Sequence, residues 1–134
     1  MSKASEVKTD RSYTKDHEWA QPQGAEVLVG ITAFAVDQLG DITLVNLDVK
    51  PGSRIEAGKA FGTIESVKTL SDLYAPISGT VTRVNEKLET EPELVNADPW
   101  AAAWMIAVKP DDAGAVKALL DAGAYSAHVE QSSH

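Results

Sequence analysis

Two stretches of this chain repeat. "GDITLVN" (residues 40–46) and "GTVTRVN" (79–85) align at an offset of 39 residues, with four of seven positions identical and Ile opposite Val at a fifth. Each is followed by a proline-containing turn, near Pro51 and Pro92, and each unit ends in an apolar stretch, "AFGTIESV" (60–67) and "AAWMIAV" (102–108). A unit of a few short strands leaves one apolar face bare, and a second copy of itself is the simplest cover for that face. The expected fold is therefore mainly β, with two similar halves packed together. A chain of 134 residues suits one such domain and is too short for two.

The flanking segments read as additions to that frame. "SYTKDHEWAQ" (12–21) and "GAEVLVGI" (24–31) are expected to be short strands joined around Pro22 and Gly24. "TAFAVDQLG" (32–40) predicts a short helix capped by Thr32 and closed by Gly40, with Ile31, Phe34, Ala35 and Leu39 on one face. "DDAGAVKALLDAG" (111–123) predicts a C-terminal helix capped by Asp111 or Asp112, with Val116, Leu119 and Leu120 as its apolar stripe. Gly123 is expected to end it, with "AYSAHVEQSSH" extending the helix before it frays. These boundaries give a tail at 1–11, one domain at 12–125 and a second tail at 126–134.

The chemistry available is narrow. There is no cysteine, which excludes disulfides, thiolate metal sites and a cysteine nucleophile. His17, His128 and His134 are far apart in sequence and match no ligand spacing, so no metal site is expected. No GxSxG elbow, P-loop or GxGxxG occurs. Acids are plentiful, but any acid-rich chain offers candidate pairs. The net charge of −8 disfavours nucleic acid and anionic membrane as partners. No apolar run approaches the ~18 residues of a membrane span, and "MSKASEVKTD" resembles no targeting segment, so a cytoplasmic protein is expected. A mitochondrial matrix location would require a transit peptide already removed. Together these features favour a carrier or binding role over a self-sufficient enzyme.

Within that frame one lysine stands out. Lys68 follows the first unit and precedes the second, in "GTIESVKTLSDLYAPISG" (62–79), at an expected turn joining the halves. A lone lysine is an ordinary solvated residue, so its setting has to carry the argument. "YTKDHEW", "VGITAFAVDQLGDI", "FGTIESVKTLSDLYAPISGTV" and "EPELVNADPW", in this order and spacing, resemble the glycine cleavage system H proteins from about Tyr13 to Val108. The resemblance implies a barrel-sandwich hybrid of the lipoyl/biotinyl-carrier kind, with two quasi-symmetric halves, a short internal helix and a C-terminal helix. It also implies lipoate in amide linkage to Lys68.

The same resemblance implies further roles. Glu65 is a candidate recognition handle for the lipoate-attaching enzyme, or else an ordinary exposed strand-end acid. Glu18 and Asp72 are implied to line a cleft that holds the loaded arm. The implied partners are glycine decarboxylase with its pyridoxal phosphate, the folate-dependent aminomethyltransferase, and dihydrolipoyl dehydrogenase; the carrier itself is expected to be a non-catalytic monomer. Thr69, where the family often has alanine, and Ala101–Ala103, in place of a glycine-containing stretch, depart from the pattern near the partner surface. A biotin carrier is disfavoured because Val67 and Thr69, not methionines, flank Lys68. A 2-oxoacid dehydrogenase lipoyl domain is disfavoured because no long linker or catalytic domain follows. An H-like protein that mainly relays lipoate, and an unmodified interaction barrel, remain as alternatives.

Overall fold

The computed structural model describes residues 7–112 and 114–132. The strands are β1 (Ser12–Tyr13), β2 (Glu18–Gln23), β3 (Glu26–Ile31), β4 (Ile42–Leu47), β5 (Arg54–Ile55), β6 (Ala60–Ser66), β7 (Leu70–Tyr74), β8 (Gly79–Val84) and β9 (Ile106–Pro110). They form two antiparallel sheets, a larger one in the order β1-β2-β3-β9-β8-β5 and a smaller one in the order β4-β6-β7. The inner faces enclose the main core, with Val29, Val81 and Ile106 from the larger sheet against Val45, Ile64 and Leu73 from the smaller. This is the expected mainly β barrel-sandwich.

The repeat survives in its irregularities. β4 pairs with β6 and β8 pairs with β9, and each pairing slips by one residue at the same place in the repeat, Thr43 in one half and Thr82 in the other. An extra residue of this kind makes a β-bulge. The Thr43 hydroxyl donates to the Glu65 carbonyl at 3.2 Å and the Thr82 hydroxyl to the Ala107 carbonyl at 3.1 Å, so both bulges are closed by equivalent bonds. The bulge also resets the alternation of faces. Ile42 and Val45 point inward, while Thr43 and Leu44 are both exposed.

Helix α1 (Ala33–Leu39) forms where expected. The Thr32 hydroxyl accepts from the Ala35 N–H, and Gly40 ends the helix at φ +84° with its own N–H on the Val36 carbonyl. Two single-turn helices, α2 (Lys87–Thr90) and α3 (Leu94–Ala97), close one side of the barrel with Leu88 and Val95 buried.

The C-terminal helix is displaced from its expected place. Of the described residues between 111 and 121, Ala115–Ala118 form a 3-10 turn, and Leu120 instead bridges to Tyr13 in an extended conformation. Asp111 is engaged in a bidentate pair with Arg54, and the Asp112 carboxylate accepts from the Gly114 N–H just ahead of the short turn, which has no side-chain cap of its own. The true helix, α4 (Ala122–Ser132), starts at Asp121, whose carboxylate accepts from the Ala124 N–H at 2.8 Å. Gly123 therefore lies inside the first turn, and most of the stretch expected as a tail from 126 is helical.

α4 covers the outer face of the larger sheet and creates a second core. Tyr125 and Val129 pack with Tyr13, Trp19, Phe34 and Trp100, and the Tyr13 and Tyr125 rings stack at 4.4 Å. Arg11, at the end of the expected N-terminal tail, is 9% exposed, lies over the Trp19 and Trp100 rings and donates to the Trp100 carbonyl. His134 lies outside the described residues.

Candidate functional site: a lysine turn beside an acidic cleft

Lys68 sits at the tip of the β6–β7 hairpin. The turn joins two neighbouring strands of the smaller sheet and lies between the two repeat units, after β4–β6 and before β8–β9. Ser66 organises the tip. Its hydroxyl oxygen accepts from the Lys68 and Thr69 N–H groups, both at 3.2 Å, and its N–H donates to the Thr69 carbonyl at 2.8 Å. The Val67 N–H donates to the Asp41 carbonyl at 3.0 Å and ties the tip to the segment before β4. Ser66 is 7% exposed, so this brace is shielded from competing water. Sequence reasoning missed it, although a serine two residues before a turn residue is a recognisable side-chain-to-backbone turn pattern.

The Lys68 side chain is exposed and makes no ion pair among the described residues. Its stem runs over Gly40, where an added Cβ would stand 3.4 Å from the lysine Cε. Gly40 thus serves twice, as the left-handed end of α1 and as a floor for the lysine. The neighbouring residues on α1, Leu39 and Gln38, form one wall of a cleft of about 150 Å³.

That cleft brings Glu18 and Asp72 together, although 54 residues separate them in sequence. Ile31, Ala35, Leu39, Ile64 and Leu73 supply apolar walls; Asp16, His17, Ser71 and Gln38 add polar groups. Asp72 is exposed, whereas Glu18 is 3% exposed. Burial pushes the Glu18 carboxyl up to about 7, against the opposing effect of the Thr14 hydroxyl, which donates to Oε1 at 2.6 Å; nearby Asp16 raises it further. Glu65 is exposed on β6 and lies outside the cleft.

His17 holds Glu18 in place. It has φ +70°, the only positive φ at a non-glycine residue among those described, and such a conformation needs outside support. The His17 N–H donates to the Thr14 carbonyl and its carbonyl accepts from the Thr32 N–H. Its Nδ1 lies 2.8 Å from the Tyr125 hydroxyl, which is also 2.7 Å from the Thr32 hydroxyl. Burial, then the neighbouring His128, holds the His17 imidazole below its usual range. Tyr125→Phe would strip this three-way bond and is expected to destabilise the protein by about 1–3 kcal/mol. Chemical denaturation would measure that loss, and amide exchange would locate it in α4 and residues 14–18.

A two-sheet barrel-sandwich that mounts one lysine on a braced hairpin tip defines the lipoyl/biotinyl-carrier class of fold. The glycine cleavage H-protein family model matches residues 11–132. The glycine cleavage system H protein of Thermus thermophilus is 50% identical over 125 residues, covering 93% of this chain and 97% of that one. Its counterpart in Bacteroides thetaiotaomicron is 51% identical over 117 residues, covering 87% and 92%. A crystal structure of a glycine cleavage system H protein from Mycobacterium marinum superposes with a TM-score of 0.81 at 40% identity, over 96% of this chain and all of that one. The chain belongs to the glycine cleavage H-protein family.

Proposed function

We propose that this chain is the lipoylated, non-catalytic carrier of a glycine cleavage system, with lipoate in amide linkage to Lys68. The observation that carries the reading is the exposed Lys68 on its Ser66-braced tip, its stem lying over Gly40 at the end of α1, whose neighbours Leu39 and Gln38 line the cleft. When attached, the dithiolane supplies the redox and group-carrying chemistry of an aminomethyl shuttle, which a cysteine-free chain lacks. The partners in this reading are glycine decarboxylase, aminomethyltransferase, dihydrolipoyl dehydrogenase and a lipoate-attaching enzyme.

The cleft suits such an arm. Its apolar walls fit an aliphatic chain, and its carboxylates fit a cationic end. Amide formation removes the lysine charge, so the modified side chain can lie against Leu39 and Ile64 without burying an ammonium at its root. Glu18 then accepts from the terminal ammonium of the cargo, with Asp72 at the rim. Shielding the cargo from water matters because an aminomethyl group on sulfur hydrolyses to ammonia and formaldehyde.

Intact-mass measurement and peptide mapping on protein from its native source are expected to show one lipoyl increment, on Lys68. A biotin-sized increment, or none, would sink the proposal. In loaded protein, Glu18→Ala is expected to speed ammonia release by about five- to a hundredfold, the loss of a charge-assisted contact, with a smaller effect from Asp72→Ala. Unchanged rates in both variants would return these acids to ordinary surface and structural roles.

A further inference from the structure

Two walls of the cleft meet at a residue that does not line it. One wall is the turn into β2, with Asp16, His17 and Glu18; another is α1, with Ala35, Gln38 and Leu39. The Tyr125 hydroxyl, on α4, stands 2.8 Å from Nδ1 of His17 and 2.7 Å from the hydroxyl of Thr32, the residue that caps α1. One buried phenol oxygen therefore ties the root of one wall to the root of the other. A second bond from α4 reaches the same turn, where Nε2–H of His128 donates to the Lys15 carbonyl at 3.0 Å. The His17 ring fills the space between, its centroid 4.7 Å from that of Phe34 on α1 and 5.4 Å from that of His128.

Hydrogen counting gives this node a direction. Each hydroxyl has one hydrogen to donate. The Thr32 oxygen already accepts from the Ala35 N–H at the start of α1. Its own hydrogen has no acceptor among the described residues except the Tyr125 oxygen. Thr32 therefore donates to Tyr125, and Tyr125 donates to His17, whose Nδ1 must be bare with the ring proton on Nε2. The opposite direction would leave the hydrogen of a fully buried hydroxyl without an acceptor, which is the costly arrangement. Burial, then the neighbouring His128, holds the imidazole below its usual range, in keeping with a bare Nδ1.

We propose that Tyr125 is a positioning residue for the cleft: its hydroxyl fixes the spacing between the Asp16–Glu18 turn and α1, and so sets how firmly the loaded arm is held. This rests on the carrier reading and adds to it a control point in the C-terminal helix. The reason is leverage. His17 stands at φ +70°, a conformation that outside bonds must impose. Without the phenol the turn loses the bond that grips its side chain, and Glu18, the next residue, shifts with it. A shift on the order of 0.5–1 Å takes a carboxylate out of hydrogen-bonding range of its partner. Thr32 loses its acceptor in the same stroke, which loosens the seat of α1 and of the Leu39 wall.

The test compares Tyr125→Phe, which keeps the ring stacked on Tyr13, with Val129→Ala, which weakens the packing of the same helix and leaves the node intact. Both are studied at a temperature where they are folded. In the unmodified chain, nitrogen NMR is expected to show His17 of the wild type and of Val129→Ala with a bare Nδ1, and Tyr125→Phe with a mixture of tautomers. Amide exchange in Tyr125→Phe should quicken at residues 16–18 and also in the first turn of α1. In aminomethyl-loaded protein, Tyr125→Phe should speed ammonia release by about three- to tenfold, the loss of one hydrogen bond, while Val129→Ala should not. Unchanged release in Tyr125→Phe would overturn the inference. Equal acceleration in Val129→Ala would also overturn it, since a loosened helix would then suffice. A protonated Nδ1 in the wild type would overturn the bond chain on which it rests. Loaded wild-type protein that releases ammonia as fast as a free aminomethylated dithiol would remove the sheltering role of the cleft instead, and the tautomer and exchange measurements would still decide whether Tyr125 sets the spacing of its walls.

Discussion

Lys68→Arg is expected to abolish carrier activity completely while leaving the fold untouched. Arginine keeps the positive charge and the long apolar stem, so the packing over Gly40 and the Ser66 brace of the turn persist. What disappears is the neutral amine that can attack an acyl donor, since a guanidinium stays protonated at any working pH. The chain has nine lysines, of which Lys59 and Lys87 also lie near turns in exposed positions. Neither stands on a braced hairpin tip beside a cleft. Glycine–bicarbonate exchange with partner enzymes should fall to background, with an unchanged unfolding curve. Lipoate found on Lys59 or Lys87 would overturn the assignment.

The second large effect concerns Glu18 and is a pH dependence of stability. Its carboxyl titrates near 7 in the fold, against a reference value of 4.5. Below about pH 4.5 both folded and unfolded chains hold the proton and the group costs nothing. Between about 4.5 and 7 the unfolded chain ionises while the folded one does not, so stability falls as pH rises; above 7 the loss is constant. It amounts to about 3 kcal/mol, from 1.4 kcal/mol per pK unit. Glu18→Gln keeps an acceptor for the Thr14 hydroxyl and removes the titration. Urea unfolding should therefore show the variant gaining about 2–3 kcal/mol on wild type between pH 4.5 and pH 8. Parallel profiles would refute the assignment. The penalty has a use in the carrier reading. A buried carboxyl poised near neutrality gains most when an ammonium arrives beside it, so cargo binding draws out its proton.

Much of this was legible from local chemistry. Thr32 and Gly40 bound α1 because capping needs only neighbouring residues. The repeat predicted paired halves, and both carry the same bulge. The C-terminal helix was misplaced because its true apolar face is thin: of the described residues, only Tyr125 and Val129 are buried there. The better stripe, Val116, Leu119 and Leu120, belongs to a 3-10 turn and an extended bridge, and Asp111 is held by Arg54 from a distant strand. Glu18 and Asp72 came only by resemblance, since no local pattern links residues 54 positions apart. The left-handed His17 left no trace in sequence either. That conformation usually marks glycine or asparagine, and here tertiary bonds from Thr14, Thr32 and Tyr125 impose it.

The bond from Val67 to Asp41 and the Ser66 brace give the lysine a stiff mount. A tether with a fixed root and a reach of ~14 Å sweeps a hemisphere on one side of the protein. One molecule confined there is at an effective concentration on the order of 0.3 M with respect to any site within the sweep. A cleft that would bind the free cargo with a dissociation constant of only about 30 mM would thus hold the tethered cargo roughly nine-tenths of the time. Weak intrinsic affinity is then an advantage, because a partner enzyme has little to compete against when it draws the arm away. A floppy loop at residues 66–69 would spread the same arm over a larger volume and give up part of that local crowding.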